Sequence, residues 1–76
     1  MITVKLYGLL RIESGIKEQH IEAATIKDVL DSLLNQGISK TDLNSCVILI
    51  NGKRANKRSK LADGDTVVLM SPVAGG

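Results

Sequence analysis

TIKDVLDSLLNQG, residues 25–37, is the stretch that decides the fold, because it predicts an α-helix with one apolar face. Thr25 stands three residues before Asp28, a spacing that lets the hydroxyl and the carboxylate cap each other's backbone N–H groups. Gly37 can adopt the left-handed conformation that often ends a helix. The apolar residues recur three and four positions apart, as one helical face requires: Ile26, Val29, Leu30, Leu33 and Leu34. We therefore expect a helix from about Ile26 to about Gln36.

Two strands are predicted before this helix. Residues 2–6 (ITVKL) alternate apolar and polar side chains, which is the pattern of a strand with one buried face. The apolar members should face the core: Ile2, Val4 and Leu6. Gly8 and Gly15 bracket a predicted loop. The mostly polar segment from Glu18 to Ala23 then predicts the second strand of a hairpin.

Two more strands and two turns are predicted after the helix. The apolar run from Cys46 to Ile50 leads into Asn51-Gly52, whose residues tolerate the positive φ angles of a tight hairpin. The run from Thr66 to Met70 follows the turn Asp63-Gly64-Asp65, and Leu61 should reach the core from the loop. These elements predict an α+β fold in which one main helix packs on a mixed sheet of four to five strands.

One helix can cover only one face of such a sheet, yet the last two apolar runs contain almost no polar residue. An uncovered apolar face in a soluble protein usually marks a surface that binds a partner. If Val67 and Leu69 face the helix, Val68 and Met70 lie on the uncovered face. We therefore predict that Val68 and Met70 belong to a partner surface.

Composition excludes several classes of function for these 76 residues. Ten basic and eight acidic residues give a net charge of +2, and Tyr7 is the single aromatic residue. We expect no nucleic-acid partner, because such binding depends on phosphate neutralisation and often on base stacking. Cys46 is the lone cysteine, which favours a reducing compartment. With no leader-like segment and no apolar stretch of about 20 residues, we expect one small cytoplasmic domain without membrane contact.

The last part of the sequence points to a family. LADGDTV (residues 61–67) followed by SPVAGG (residues 71–76) resembles the closing segment of the ubiquitin-like sulfur carriers, especially the small subunit of molybdopterin synthase (MoaD). The stretches from Val47 to Lys53 and from Val4 to Gly8 are also similar to that group. The resemblance implies the β-grasp, or ubiquitin-like, roll. It divides the chain into a domain at residues 1–70 and a flexible C-terminal tail.

By this resemblance, Gly76 is the residue that is modified. In the family, a ubiquitin-activating-type enzyme adenylates the terminal carboxylate with ATP, and sulfur from a persulfide donor then converts it to a thiocarboxylate. The tail, through Pro72, Val73, Ala74 and Gly75, would enter the active site of the large catalytic subunit of molybdopterin synthase. The resemblance implies a sulfur-carrying subunit that does not catalyse alone. We expect no cofactor and no metal site.

Other candidate residues have plainer interpretations. Cys46 could be a reactive thiol, but most cysteines on apolar strands are inert. His20 has no second ligand at metal-binding spacing, which favours an ordinary histidine over a metal site. The basic segment from Lys53 to Lys60 is either a solvated turn or a patch that attracts an acidic partner.

Three alternative functions remain open from the sequence. A ThiS-like carrier for thiazole synthesis, or for another sulfur-inserting pathway, would use the same activation chemistry. A ubiquitin-like protein modifier would be joined through Gly76 to lysines of target proteins. A plain interaction module would have an inert tail, since terminal glycines are common at loosely ordered chain ends.

Overall fold

The computed structural model describes residues 1–71, which form a five-stranded mixed sheet covered on one face by helices. In chain order the elements are β1 (Ile2–Tyr7), α1 (Leu9–Ser14), β2 (Glu18–Ile21), α2 (Ile26–Asn35), α3 (Lys40–Ser45), β3 (Val47–Ile50), β4 (Lys53–Arg54) and β5 (Thr66–Met70). The strands lie in the order β2-β1-β5-β3-β4. The central strands β1 and β5 are parallel, and the other pairs are antiparallel. This is the predicted β-grasp architecture.

The core lies between the sheet and the helices and consists of aliphatic side chains. Its buried members form one cluster: Ile2, Val4, Leu6, Leu10, Ile21, Ile26, Val29, Leu30, Leu33, Ile38, Leu43, Ile48, Val67 and Leu69. The predicted inward positions of β1 and the predicted apolar face of α2 are confirmed, except that Leu34 is exposed. Each such side chain stabilises the fold by about 1.5–3 kcal/mol when it is fully buried. Aliphatic packing therefore supplies the main favourable contribution to folding.

Both ends of α2 are fixed as its sequence predicts. The Thr25 hydroxyl accepts from the Asp28 N–H at 3.3 Å, and the Asp28 carboxylate accepts from two backbone N–H groups at 3.0 and 3.2 Å. At the other end, Gly37 has a φ of 95° and directs the Ile38 N–H to the Leu33 carbonyl at 3.1 Å. The left-handed glycine thus satisfies one of the carbonyls that a helix leaves unpaired at its end.

Two turns are tied to each other beside β5. Asn51 and Gly52 have positive φ angles of 50° and 85° and join β3 to β4 as predicted. The Asn51 side chain donates to the Asp65 carboxylate at 2.9 Å and accepts from the Thr66 N–H at 2.9 Å. The hairpin therefore fixes the point at which β5 begins. Leu61 packs against the core from the preceding loop, which confirms its predicted position.

Two short helices are absent from the sequence prediction. The segment between Gly8 and Gly15 was predicted to be a loop, and that prediction was wrong, because the segment forms α1 with Gly15 as its left-handed C-terminal cap. No element was predicted for α3. The two helices have six residues each and bury one side chain each, Leu10 and Leu43, so neither produces a helical period in the sequence. Within residues 1–71, every helix is too short or too polar to cross a membrane.

Replacing Asp28 with asparagine should reduce the loss of stability in acid. The backbone N–H of Ala24, with a smaller effect from Thr25, holds the pKa of the Asp28 carboxyl below its ordinary value. Because the folded-state pKa is lowered, the carboxylate stabilises the fold above about pH 4, and this contribution is lost as the pH falls through the lowered pKa. The free energy of unfolding, measured with denaturant at about pH 7 and about pH 2.5, should therefore differ less between the two pH values for Asp28→Asn than for the wild type.

Asp31→Asn is the matched control on the same helix. The Asp31 carboxylate accepts from the Lys27 ammonium at 3.0 Å, and this exposed pair contributes little to stability. The control should keep nearly the wild-type difference between the two pH values. If Asp28→Asn also kept it, the capping role of the carboxylate would be contradicted.

Candidate functional site

The outer face of the sheet carries an apolar patch beside the end of β5. The strand register places Met70 of β5 between Tyr7 of β1 and Val47 of β3. Two residues earlier on β5, it places Val68 next to Leu49 of β3. Tyr7 is 41% exposed and Met70 is 38% exposed, while the other three residues are half-buried. These five residues are called the apolar patch below. Within residues 1–71 the helices leave them uncovered, because the core lies on the opposite face.

Basic side chains border the apolar patch. Lys5 on β1 pairs with Val68, and Arg54 on β4 pairs with Leu49, so both basic residues lie in the same row of the outer face. An apolar surface with a charged rim is typical of a protein-binding surface. The positive rim favours a partner that presents acidic side chains around an apolar contact.

The predicted face assignment of β5 is confirmed. Val67 and Leu69 are fully buried in the core, whereas Val68 and Met70 lie on the outer face. Their role in binding a partner stays a prediction. Sequence reasoning did not name Tyr7 as part of this surface, although the alternation of β1 places it on the outer face.

Ser71 follows β5 directly and is held against elements from the start of the chain. Its hydroxyl accepts from the Leu10 N–H at 3.1 Å and donates to the Tyr7 carbonyl at 3.4 Å. Its own N–H donates to the same carbonyl at 3.4 Å. Ser71 is only 8% exposed. The first residue of the predicted tail is therefore bound to α1 and β1, which no feature of the sequence indicated.

The rest of the predicted tail lies outside the described residues. It comprises the residue predicted to be modified and the four predicted to enter a partner's active site: Gly76, Gly75, Ala74, Val73 and Pro72. Their roles, and the division into a domain at residues 1–70 and a tail at residues 71–76, stay predictions.

The surroundings of Cys46 and His20 favour the plainer interpretation of each. Cys46 is half-buried, and its thiol donates to the Leu43 carbonyl at 2.9 Å. Burial raises the pKa of this thiol, which lowers the fraction of reactive thiolate at neutral pH. His20 is exposed and lies 4.0 Å from the Glu18 carboxylate. Among residues 1–71, no three potential ligands stand close enough together to hold a metal ion.

The basic segment from Lys53 to Lys60 includes an ordered surface turn. The Asn56 side chain accepts from the Arg58 N–H at 2.8 Å, and the Asn56 N–H donates to the Ser59 hydroxyl at 3.0 Å. These local bonds fix the turn and leave the basic side chains exposed. Their positive potential can attract an acidic partner from solution.

A shallow cavity of about 300 Å³ lies on the helical side of the sheet, opposite the apolar patch. Glu13 of α1 and Asp42 of α3 form part of its wall. The hydrogen bond between their carboxyl groups, together with charge repulsion, raises the pKa of Glu13. The cavity is therefore acidic and separate from the surface predicted to bind a partner.

The chain is similar to known proteins over nearly its whole length. The ThiS family model matches residues 4–76. SAMP1 from Haloferax volcanii has 25% identity and a TM-score of 0.85, over 99% of this chain and 98% of that chain. The small archaeal modifier protein 1 (SAMP1) from Methanosarcina acetivorans has 29% identity and a TM-score of 0.80, over 99% of this chain and 95% of that chain.

A third similar structure is a protein complex. It contains subunits 1 and 2 of the molybdopterin-converting factor from Helicobacter pylori 26695, and the matching chain has 28% identity and a TM-score of 0.75. The match covers 99% of this chain and 97% of that chain. No curated protein sequence matches this one significantly.

Neighbouring substitutions on β5 should separate its two faces. Leu69→Ala removes a fully buried side chain and should lower the free energy of unfolding by about 2–5 kcal/mol. Met70→Glu changes a side chain that is already partly in water and should lower it by less than about 1 kcal/mol. Denaturant unfolding measures both values. Equal losses, or a larger loss for Met70→Glu, would contradict the face assignment.

Proposed function

The chain belongs to the ThiS family of ubiquitin-like sulfur carriers, and on this basis we propose that it is the small subunit of molybdopterin synthase. It carries sulfur as a thiocarboxylate on Gly76 and delivers it to a larger catalytic subunit. The observation that carries the proposal is the apolar patch, which lies directly beside the point where the chain leaves β5. A carrier needs a binding surface next to its reactive end, because a partner must hold the domain and receive the terminus together.

A terminal carboxylate has to be activated before sulfur can be attached to it. Its reference pKa is about 3.3–3.7, so at neutral pH it is an anion and a poor electrophile. In the proposed cycle, a carboxylate oxygen of Gly76 attacks the α-phosphorus of ATP on an adenylating enzyme, and pyrophosphate leaves. The terminal sulfur of a persulfide then attacks the carbonyl carbon, and AMP leaves. A second thiol then attacks the donor sulfur of this acyl disulfide and breaks the S–S bond that came from the persulfide, which forms a disulfide with the donor and releases the thiocarboxylate.

The composition of the last five residues suits this chemistry. Gly75 and Gly76 have no Cβ, so the walls of a narrow active-site channel can approach their backbone closely. Proline at position 72 has no N–H to donate to a neighbouring strand, which discourages strand pairing beyond β5. A close channel also excludes water, which would otherwise hydrolyse the acyl adenylate.

Two observations support a precursor of molybdopterin as the sulfur acceptor. The similar Helicobacter pylori complex consists of two subunits of a molybdopterin-converting factor, and the ending with Pro72 resembles that branch of the family. A carrier for thiazole synthesis would share every step up to the thiocarboxylate. It would differ in the protein that receives Gly76 and in the molecule that takes the sulfur.

A protein modifier is the second candidate function. The similarity to SAMP1 from Haloferax volcanii and from Methanosarcina acetivorans favours it. In a modifier, a lysine ε-amine attacks the activated carbonyl of Gly76 and forms an isopeptide bond. The two functions share adenylation and differ in the nucleophile that follows.

The intact mass of the chain tests the carrier function. Incubation with ATP, a ubiquitin-activating-type enzyme and a persulfide donor should add about 16 Da, because sulfur replaces one oxygen of the terminal carboxylate. Deleting Gly76 should abolish this gain in mass, because the terminal carbonyl then falls short of the nucleotide by about one residue, roughly 3.3–3.6 Å of extended chain. Normal sulfur loading of the shortened chain would contradict the proposed carrier function.

Recovery from cells separates the carrier from the modifier. The chain is expressed with its native ending in cells that make the pterin cofactor and is isolated under denaturing conditions. Sulfur-loaded monomer is the result expected of a carrier. Abundant isopeptide conjugates without sulfur-loaded monomer would favour the modifier instead.

Met70→Glu should weaken binding to the large catalytic subunit by at least about tenfold, because the new charge loses water at the interface. Calorimetric titration measures the affinity. His20→Glu is the matched control. His20 lies on the edge strand β2 and pairs with Thr3 of β1, so this variant places a carboxylate on the same sheet but away from the apolar patch. Equal affinity of the two variants would show that Met70 does not contact the partner.

A further inference from the structure

Ser71 joins the end of β5 to the start of α1. The first N–H groups of a helix have no acceptor within the helix, and the Ser71 hydroxyl supplies one for Leu10 at 3.1 Å. The Tyr7 carbonyl accepts hydrogen bonds from both the hydroxyl and the backbone N–H of Ser71. Three hydrogen bonds thus hold one buried residue at the place where the C-terminal segment leaves the domain.

Gly8 leaves the space that this contact needs. Its φ of 68° and ψ of −142° lie in a region that is nearly restricted to glycine. A Cβ at this position would stand 2.8 Å from both the carbonyl oxygen and the hydroxyl oxygen of Ser71. The close approach of the two chain segments therefore depends on glycine at position 8 as well as on the serine hydroxyl.

The position of Ser71 limits where the terminal carboxylate can act. Five residues follow Ser71 in the sequence, and a five-residue chain spans at most about 16–18 Å. Loss of the Ser71 contacts would move the fixed origin of that segment back toward Met70 by about one residue, roughly 3.3–3.6 Å. A displacement of about 1 Å can already slow a reaction about 10²-fold.

We propose that Ser71 is a positioning residue for loading of the terminus: its bonds to Leu10 and Tyr7 fix the origin from which the C-terminal segment enters a partner's active site. This inference rests on the proposed function, because it concerns how Gly76 reaches the adenylating enzyme. A residue that only capped α1 would change stability, but it would leave the rate of a reaction at Gly76 unchanged.

Ser71→Ala tests this role against Ser14→Ala. The Ser14 hydroxyl donates to the Leu10 carbonyl at 2.5 Å and accepts from the Ile16 N–H at 3.0 Å. Ser14 therefore makes the same kind of bonds to the same helix, but at the end away from the exit of the tail. The comparison separates a general weakening of α1 from a specific effect on the terminus.

Both variants are loaded with ATP, a ubiquitin-activating-type enzyme and a persulfide donor at several carrier concentrations, and intact mass gives the rate of thiocarboxylate formation. Ser71→Ala should lower kcat about tenfold and change the carrier KM by less than about twofold, because the apolar patch is unaltered. Ser14→Ala should keep wild-type kcat. Ser71→Thr keeps the hydroxyl and should recover most of the lost rate.

The outcomes separate this inference from the proposed function. Wild-type kcat for Ser71→Ala, or equal losses for Ser71→Ala and Ser14→Ala, would overturn the positioning role and leave the carrier function intact. Absence of loading in the wild-type chain would overturn both. If Ser71→Ala does not fold, Ser71→Cys replaces it, because a thiol is a weaker donor and acceptor of similar size. A wild-type kcat for that variant would likewise overturn the role.

Discussion

The parallel pairing of β1 with β5 is the constraint on which the rest of the structure depends. The two strands come from opposite ends of the described chain and lie side by side at the centre of the sheet. Because they are parallel, both leave the sheet at the same edge, and the next residues, Gly8 and Ser71, come into contact there. The apolar patch lies at that edge as well. The topology therefore places a candidate binding surface beside the exit of the C-terminal segment.

The one-sided core accounts for the character of that surface. All three helices contribute buried residues to a single aliphatic cluster on one face of the sheet. The opposite face keeps its aliphatic side chains half in water, with Lys5 and Arg54 beside them. Apolar area removed from water contributes about 25 cal/mol per Å². Burial of this face in a complex would therefore stabilise the complex, because it removes from water apolar area that is still exposed in the isolated domain.

Local signals explain which features the sequence could predict. The capping box of α2 and the Asn51-Gly52 turn depend on residues within four positions of each other, and the structure has both. Helix α1 was missed because its flanking glycines are typical of a loop and its single buried leucine gives no period. The bond between Ser71 and Leu10 joins residues 61 positions apart, and no local pattern relates them. The predicted role of Gly76 came from the resemblance of the ending to a family, which periodicity alone could not supply.

The central position of β5 also sets when the chain can fold during its synthesis. The ribosome makes β1 first and β5 last, and the middle of the sheet needs both. Before β5 emerges, β1 has an unpaired edge and the core lacks Val67 and Leu69. Pairing of strands that are distant in sequence is also slow. Translation that stops before β5 is complete therefore leaves fragments that cannot form this sheet, and proteases can remove such unfolded fragments.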